Sequence, residues 1–345
     1  MRAERDGLGG GAEPFSFRPA WWLRGGHRQT IWGLLTRPRR KIPYRREILA
    51  TPDGDSLVLD WMDGPPGSPI LVALHGLEGS SYSVYVQGLL AQAQRRGWRG
   101  VAMNFRSCAR DPEDLERMIP NGRARLYHSG ETEDVDFLLG TLAAREPASP
   151  LVAVGASLGG NVLLKWLGES AGRSALLRSA VSLSAPYDLA AGARHLESGF
   201  RRLYLEPFLK TLRPKAFLAA RRFPEAAARI DVEGVRRART LREFDDAATA
   251  PLHGFAGADD YYAKSSSLSF LSRIRTATLC VSAIDDPFLP KWVLERAKGA
   301  ASSGTIEFLT PPRGGHIGFV EGAWPLRPRY WAEETAVAYL ARHLH

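Results

Sequence analysis

The sequence predicts an α/β fold in which a mostly parallel sheet of about eight strands is flanked by helices and interrupted by a helical cap. Residues 43–186 and 266–345 alternate short apolar runs with helical stretches, which is typical of a parallel sheet covered on both faces. Residues 187–265 are rich in Ala, Arg and Lys and contain no convincing strand. We expect them to cap the carboxyl edge of the sheet, where such sheets place their ligands. Residues 1–42 are expected to be an irregular N-terminal segment packed on this core.

The individual elements follow from local patterns. Pro52-Asp53-Gly54-Asp55 separates two alternating runs and so predicts a hairpin turn. The helix after Ser129-Gly130 has acidic residues in its first turn, as helix N-termini favour. The predicted strands are 45–50, 57–61, 70–74, 100–105, 151–155, 180–184, 278–283 and 306–309. The predicted helices are 85–96, 131–144, 159–167, 214–222, 292–300 and 331–343.

Length and composition narrow the class of protein. A chain of 345 residues exceeds what one hydrophobic core usually organises, which favours a main domain with an elaboration. Its two cysteines, Cys108 and Cys280, exclude a disulfide scaffold and fit a reducing compartment. The longest uncharged apolar-rich run near the middle, residues 151–164, is too short to span a membrane, and the first thirty residues lack the apolar region of a signal peptide. A cytoplasmic location is therefore expected.

Positive charge is concentrated in two segments. The chain has 46 basic and 37 acidic residues, a net charge of +9. Residues 18–46 hold nine basic and no acidic residues, and residues 194–242 hold 13 basic and five acidic ones. These segments either are solvated and paired with the body or attract an anionic lipid surface, an acidic substrate or nucleic acid. No nucleic-acid-binding motif accompanies them, so we expect no nucleic-acid partner and at most weak contact with an anionic membrane surface.

The pattern Gly155-Ala156-Ser157-Leu158-Gly159 follows an apolar strand and precedes a predicted helix. This is the setting of a nucleophile elbow, a sharp turn that exposes a serine hydroxyl at the end of a strand. The flanking positions of such a turn have no room for a β-carbon, which explains the two glycines. The alternative is a glycine-rich turn that only packs. A dinucleotide site is not indicated, because the Gly-x-Gly start is missing.

A serine nucleophile needs a base, and His316 follows the last predicted strand within Gly314-Gly315-His316-Ile317-Gly318. An isolated loop histidine more often has a surface or packing role. The carboxylate that orients such a base is expected after the preceding strand. There we favour Asp286 over Asp285, because Asp286 lies four residues before Pro290, as in many serine hydrolases. The alternatives are an aspartate-capped turn and a metal site, but further metal ligands are missing nearby, so neither a metal nor another cofactor is expected.

The chain order Ser157, Asp286, His316 is that of the α/β-hydrolases and differs from the orders in chymotrypsin-like and subtilisin-like enzymes. The sequence therefore predicts the α/β-hydrolase fold with these residues as a catalytic triad. An oxyanion hole needs two backbone N–H groups aimed at the developing charge. We expect one from Leu158, which follows the nucleophile, and the other from Leu77, in the loop after the third strand.

Four other candidate side chains are interpreted mainly as structural. His75 is favoured as a loop residue rather than a base. Cys108 is favoured as a loop residue rather than a reactive thiol, because no histidine is paired with it by spacing. His128 either lines the pocket or, as we favour, packs or caps before a helix. His253 is expected at the hinge of the cap.

Short motifs along residues 13–340 point to a known family. They are Phe15 to Trp32 with His27-Arg28-Gln29-Thr30-Ile31-Trp32, His75-Gly76-Leu77-Glu78-Gly79-Ser80-Ser81, Asn104-Phe105-Arg106, Tyr127-His128-Ser129-Gly130-Glu131-Thr132, Gly155-Ala156-Ser157-Leu158-Gly159-Gly160-Asn161, Pro251-Leu252-His253-Gly254-Phe255, Asp285-Asp286-Pro287-Phe288 and Gly314-Gly315-His316-Ile317-Gly318-Phe319. Together they resemble the YheT-like branch of the α/β-hydrolase superfamily, the AB hydrolase 4 family.

The resemblance implies an α/β-hydrolase fold, carboxylic-ester hydrolysis and no metal or organic cofactor. It carries the triad over onto Ser157, Asp286 and His316. This chain departs from the family at Ser107, where glycine is common. Animal members of the family are membrane-anchored lipid ester hydrolases, and we expect this chain to lack their N-terminal span.

The expected function is that of a serine esterase acting through an acyl-enzyme intermediate on a small-molecule or lipid-like ester. Two alternatives stay open. The same triad serves acyltransferases and thioesterases, which differ in the acceptor or donor of the acyl group. A binding module that keeps the pocket without catalysis is the other alternative.

Overall fold

The computed structural model describes residues 15–170, 172–301 and 304–344. Its strands are β1 Arg45–Ala50, β2 Ser56–Met62, β3 Ile70–Leu74, β4 Arg99–Asn104, β5 Leu151–Ala156, β6 Leu177–Leu183, β7 Ala277–Val281, β8 Ile306–Leu309, β9 Val320–Glu321 and β10 Arg329–Tyr330. Within the described ranges, one eight-stranded sheet has the order β1-β2-β4-β3-β5-β6-β7-β8. Strand β2 is antiparallel to β1 and β4, and all neighbours from β4 to β8 are parallel. The predicted mostly parallel sheet is confirmed.

Helices occupy the connections between successive strands from β3 to β8, and others lie before β1 and after β10. They are α1 Gly26–Thr36, α2 Val84–Gln94, α3 Glu133–Arg145, α4 Leu158–Glu169, α5 Leu189–Leu196, α6 Leu205–Arg222, α7 Pro224–Ala227, α8 Val232–Arg237, α9 Leu241–Phe244, α10 Ala250–Leu252, α11 Ala258–Ser265, α12 Lys291–Ala300 and α13 Trp331–Arg342. Short 3-10 helices lie at Ser174–Leu176, Gly199–Tyr204 and Ser267–Arg273, and a π-helical turn lies at Asp245–Thr249.

The sheet buries apolar side chains on both faces, as its continuous apolar strands require. Along β3, Ile70, Val72 and Leu74 join the cluster formed with α3, α4 and α12. The alternate residues Leu71 and Ala73 join the cluster on the other face, with α2 and α13. The central strands are therefore held rigidly from both sides, and so are the turns at their carboxyl ends.

The chain between β6 and β7 forms helices α5 to α11, which we call the helical insertion. It has an apolar cluster of its own, to which α6 contributes Leu209, Ala216 and Ala219. The sequence predicts this helix only from Pro214 to Arg222. In the structure α6 begins at Leu205 and continues through Pro214, since its buried face extends on both sides of the exposed proline.

The N-terminal segment is more regular than the sequence suggested. Its residues 1–14 lie outside the described part of the chain, but α1 is a helix within a stretch that we expected to be irregular. Of the aromatic residues in this segment, which we expected to pack on the core, Phe17 has its ring centroid 5.8 Å from that of Phe319, whereas Trp21 is 65% exposed. Among the described residues, no helix combines the length and apolar character needed to span a membrane.

Candidate active site

Ser157 occupies the sharp turn between β5 and α4. Its φ of 51° and ψ of −119° are strained for an L-residue. A β-carbon on Gly155 would overlap the carbonyl oxygen of Gly159. One on Gly159 would lie 2.5 Å from the carbonyl oxygen of His75. The two flanking glycines are therefore required sterically, and the turn directs the serine hydroxyl away from the sheet.

The structure brings Ser157, His316 and Asp286 together. His316 Nε2 lies 2.9 Å from Ser157 Oγ, and Nδ1 lies 2.9 Å from Asp286 Oδ2. The side chains of His316 and Asp286 are 8% and 1% exposed. The neighbouring carboxylate, Asp285, instead accepts the N–H of Gly315 at 2.9 Å. Of the two adjacent aspartates, only Asp286 contacts the imidazole ring.

Helix α1 supports the loop that carries His316. The backbone N–H of His316 donates to Thr30 Oγ1 at 2.8 Å, and Arg37, the residue directly after α1, donates to the carbonyl oxygen of Ile317 at 2.9 Å. Gly315, with a φ of 62°, passes so close to α1 that a β-carbon there would overlap the carbonyl oxygen of Gly26. The sequence did not predict this contribution, because nothing in residues 26–37 indicates a partner near the other end of the chain.

An aromatic side chain covers one face of the imidazole. Phe288, in the loop after β7, stacks on His316 with ring centroids 4.1 Å apart and planes 10° apart. Tyr204 of the helical insertion lies 4.8 Å from Phe288, centroid to centroid. The imidazole is thus fixed by a hydrogen bond at Nδ1 and by stacking on its face, which limits ring rotation.

The two predicted oxyanion donors line the same pocket as Ser157 and His316. Leu158 is the first residue of α4, so its N–H has no acceptor within the helix. Beside Leu77, the N–H of Gly76 donates to Tyr85 and the N–H of Glu78 donates to Tyr127, each at 2.8 Å. The N–H of Leu77 itself has no acceptor among the described residues, which leaves it available to a ligand.

The pocket has a volume of about 120 Å³ and lies between the core and the helical insertion. Its apolar wall comes largely from the insertion, including Leu189, Ala193, Leu196, Phe208, Leu212, Leu241 and Phe244. One acidic residue, Asp245, also lines it and accepts hydrogen bonds from Tyr262 at 2.6 Å and Thr249 at 2.7 Å. Burial raises the pKa of Asp245 to about 6. Such a cavity suits an apolar group placed beside the polar side chains of Ser157 and His316.

The other candidate residues from the sequence, His75, His128, His253 and Cys108, are packed among neighbouring side chains or hydrogen-bonded to the backbone. His75 is buried, its ring nitrogens bond the carbonyl of Gly76 and the N–H of Phe105, and burial lowers its pKa to about 4. Burial raises the pKa of the Cys108 thiol to about 11. His128 lines the pocket and packs 4.5 Å from His253, centroid to centroid.

Within residues 15–170, 172–301 and 304–344, no cluster of His, Cys, Asp or Glu is arranged to hold a metal ion.

The Asn-Phe-Arg motif links elements around the site. Asn104 Oδ1 accepts the N–H of Ser81 at 2.9 Å, and buried Arg106 donates to Asp134 at 2.7 Å. Ser107 has a φ of 59°, a conformation that glycine adopts without strain. The loop therefore keeps a glycine-compatible backbone with serine at this position.

Comparisons with known proteins agree with this architecture. A family model described as the alpha/beta hydrolase fold matches residues 69–323. The chain is 38% identical over 321 residues to the Escherichia coli (strain K12) protein named "Putative esterase YheT", covering 92% of this chain and 91% of that protein. It is 28% identical over 323 residues to the Homo sapiens phospholipase ABHD3, covering 91% and 76% of the two chains. The Pyrococcus furiosus esterase Pf2001 shares the fold, with a TM-score of 0.57, 13% identity and coverage of 87% and 91%.

Proposed function

This chain belongs to the α/β-hydrolase family, in its YheT-like branch, and on that premise we propose that it is a serine hydrolase that cleaves carboxylic esters. The observation that carries the proposal is the hydrogen-bonded series from Ser157 Oγ through His316 to Asp286, with both bonds at 2.9 Å. A hydroxyl, an imidazole and a buried carboxylate in this series are the parts of an activated nucleophile.

The reaction is proposed to proceed through an acyl-enzyme. His316 Nε2 accepts the proton of Ser157 as Oγ bonds to the ester carbon, and the carbonyl electron pair moves onto oxygen. The N–H groups of Leu77 and Leu158 donate hydrogen bonds to this oxyanion. When the tetrahedral intermediate collapses, the alcohol leaves with the proton from His316. Water then attacks the acyl-enzyme by the same route and releases the acid and Ser157.

Two features support a lipid-like or otherwise apolar ester as substrate. The pocket beside Ser157 has a largely apolar wall, which fits an acyl chain better than a charged group. Two relatives have names that denote an esterase and a phospholipase. We also propose that residues 187–265 act as the cap that shapes this pocket, because the insertion supplies much of its wall.

An activated serine can be tested with a fluorophosphonate probe, which reacts with such a serine and not with ordinary hydroxyls. We expect one equivalent of label per chain, and peptide mapping should place it on Ser157. No labelling under conditions where the protein is folded would favour the non-catalytic binding module.

Product analysis with an added alcohol then separates the remaining alternatives, since an acyltransferase forms a new ester. A panel of thioesters identifies a thioesterase.

A second proposal is that the surface of α1 binds an anionic lipid bilayer. The buried face of the helix consists of Gly26, Gln29, Thr30 and Gly33. On its other side Ile31, Leu34 and Leu35 are exposed. Nearby in the chain are Arg24 and Arg28, which are exposed and form no ion pair with the described residues. We call these five residues the α1 surface. An exposed apolar strip with unpaired cations suits an anionic membrane interface.

The α1 surface continues toward the candidate site. His27 of α1 packs 4.9 Å from Phe200 in the helical insertion, centroid to centroid. Phe200 and Leu203, in the same turn, are 55% and 63% exposed. Because Tyr204 of the same 3-10 helix contacts Phe288, which lines the pocket, docking through this surface would bring the bilayer near the pocket.

Binding to sedimented vesicles tests the lipid proposal. We expect the chain to bind phosphatidylcholine vesicles only when phosphatidylglycerol is included, and to dissociate as salt rises. Replacing both Leu34 and Leu35 with Glu should weaken binding more than about tenfold, because two apolar side chains are lost from the interface. Ile48→Glu is the matched control, since Ile48 is 60% exposed on β1, the sheet edge opposite β8. Equal binding to neutral vesicles, or binding that ignores salt, would contradict the proposal.

A further inference from the structure

A buried ion pair joins the helical insertion to the loop that carries Leu77. Lys215, on α6, places Nζ 2.7 Å from Glu78 Oε1, and the two side chains are only 5% and 6% exposed. Nζ also donates to Cys108 Sγ at 3.3 Å and lies 5.4 Å from the centroid of the Tyr127 ring. The ammonium group of an insertion residue is therefore enclosed by side chains of the core.

Glu78 directly follows Leu77 and has a left-handed backbone, with a φ of 57°. Its N–H donates to the hydroxyl of Tyr127, and that hydroxyl donates to Glu78 Oε1, each at 2.8 Å. On the other side of Leu77, the N–H of Gly76 donates to Tyr85 at 2.8 Å. The residues on both sides of Leu77 are thus fixed by hydrogen bonds. The direction of the Leu77 N–H group depends on the backbone conformation that these bonds hold.

A glutamate in this conformation needs a compensating contact. Glycine would adopt the same φ without strain, whereas an L side chain disfavours it. The carboxylate of Glu78 is buried, and among the described residues its Oε2 has no hydrogen-bond partner. A buried carboxylate without a counter-charge is strongly disfavoured. Without the ammonium of Lys215, Glu78 is therefore expected to turn toward solvent and release its backbone from the left-handed conformation.

The charge state of Lys215 fits this role. Burial by itself would lower the pKa of Lys215. The neighbouring Cys108 and Glu78 raise that pKa by more than burial lowers it, so the net shift is upward. The Lys215 side chain therefore stays an ammonium despite its burial.

We propose that Lys215 is a positioning residue for ester hydrolysis: by holding Glu78, it aims the N–H of Leu77 at the oxyanion when the helical insertion is seated on the core. This inference rests on the proposed function, because it assigns a role within the same site. It adds a requirement that the triad alone does not have, namely that a residue of the insertion completes the oxyanion hole. Lys215 itself lies outside the residues that line the pocket.

The test compares Lys215→Met, which keeps the alkyl stem and removes the charge, with Lys210→Met as control. Lys210 lies on the same helix, is exposed, and has no ion pair recorded within the described residues. We expect Lys215→Met to lower kcat by about 10- to 100-fold with KM changed by less than about threefold, because the loss of one oxyanion donor costs about 10²–10³ and this donor would be misaimed rather than removed. Lys210→Met should match the wild type.

A pair of substrates shows whether the effect passes through the oxyanion. Sulfur accepts hydrogen bonds poorly, so a thionoester gains little from the oxyanion donors that accelerate the matching oxoester. The ratio of oxoester to thionoester kcat/KM should therefore fall in Lys215→Met and stay unchanged in Lys210→Met. A general loss of stability would not move this ratio in the fraction of enzyme that is folded and active.

Glu78→Met provides a second variant in case Lys215→Met does not fold. It removes both carboxylate oxygens, so it should lose kcat to a similar extent, and the double variant should be no more than about threefold slower than Lys215→Met, because both substitutions remove the same contact. Multiplicative losses in the double variant, or an unchanged oxoester-to-thionoester ratio in folded Lys215→Met, would overturn the proposal.

Hydrogen exchange separates failure of this inference from failure of the proposed function. Peptides covering residues 75–81 should exchange faster in Lys215→Met than in Lys210→Met, whether or not the wild type is an esterase. If the wild type neither hydrolyses esters nor reacts with fluorophosphonate, the proposed function fails and the catalytic part of this inference fails with it. Unchanged exchange over residues 75–81 contradicts the holding role of Lys215 even in an active enzyme.

Discussion

Replacing Ser157 with Ala is expected to lower kcat by about 10⁶, the size of loss that follows removal of the nucleophile from a triad. The turn that holds Ser157 is set by Gly155 and Gly159, so the substitution removes Oγ without changing the backbone that presents it. His316 would then have no proton to accept, and the acyl-enzyme route would be closed. The measurement is kcat on the best ester of a chain-length panel, together with fluorophosphonate labelling, which should disappear.

Ser179→Ala is the matched control for this prediction. Ser179 is a buried serine of β6, and its hydroxyl has no hydrogen-bond partner among the described residues. The substitution therefore removes a serine Oγ that lies outside the proposed active site. We expect kcat to stay within about twofold of the wild type, because no group that contacts substrate has changed. Comparable melting temperatures for the two variants would exclude misfolding as the cause. If Ser157→Ala retained wild-type turnover and labelling, Ser157 would not be the nucleophile.

The fold was predictable because its information is local. The strand of residues 151–155, the glycines at 155 and 159 and the helix that follows are contiguous in sequence, and the observed β5–turn–α4 unit matches them. The close contacts that a β-carbon would make at Gly155 and Gly159 agree with the steric reason that the sequence pattern gave for these two glycines. The grouping of Ser157, Asp286 and His316 was inferred from their order after successive strands, since carboxyl ends of parallel strands meet at one edge. Their catalytic roles stay a prediction until the variants are measured.

Two parts of the site were not predictable from sequence. Thr30 and His316 are separated by 286 positions, and Lys215 and Glu78 by 137. Neither pair lies in a pattern with a fixed spacing, and each depends on how a peripheral segment packs on the sheet. Lys215 lies in the basic segment 194–242, for which the sequence left open either pairing with the body or an external anionic partner, and the structure buries it against Glu78. Net charge along the chain therefore did not distinguish a buried ion pair from an exposed cation.

The adjacent carboxylates Asp285 and Asp286 provide the second large prediction. Asp286→Asn is expected to lower kcat by about 10⁴, the scale seen when the orienting carboxylate of a triad becomes an amide. The amide can donate a hydrogen bond to Nδ1 of His316, which places the ring proton on Nε2, facing Ser157. In that tautomer the imidazole cannot accept the serine proton, although every heavy atom stays in place.

Asp285→Asn makes the same chemical change one residue earlier, where the structure predicts a much smaller effect. Asp285 accepts the N–H of Gly315, and an asparagine oxygen can still accept that bond, so kcat should fall by no more than about tenfold, the cost of weakening a single hydrogen bond. A pH–rate profile for each variant distinguishes the causes, because a tautomer defect changes the dependence on imidazole ionisation, whereas a displaced loop lowers the rate at every pH. If Asp285→Asn were the more damaging change, the loop would have to rearrange in solution so that the other carboxylate orients His316. The two expected effects differ by about 10³, the ratio of the estimates above, which is large enough to decide between these carboxylates.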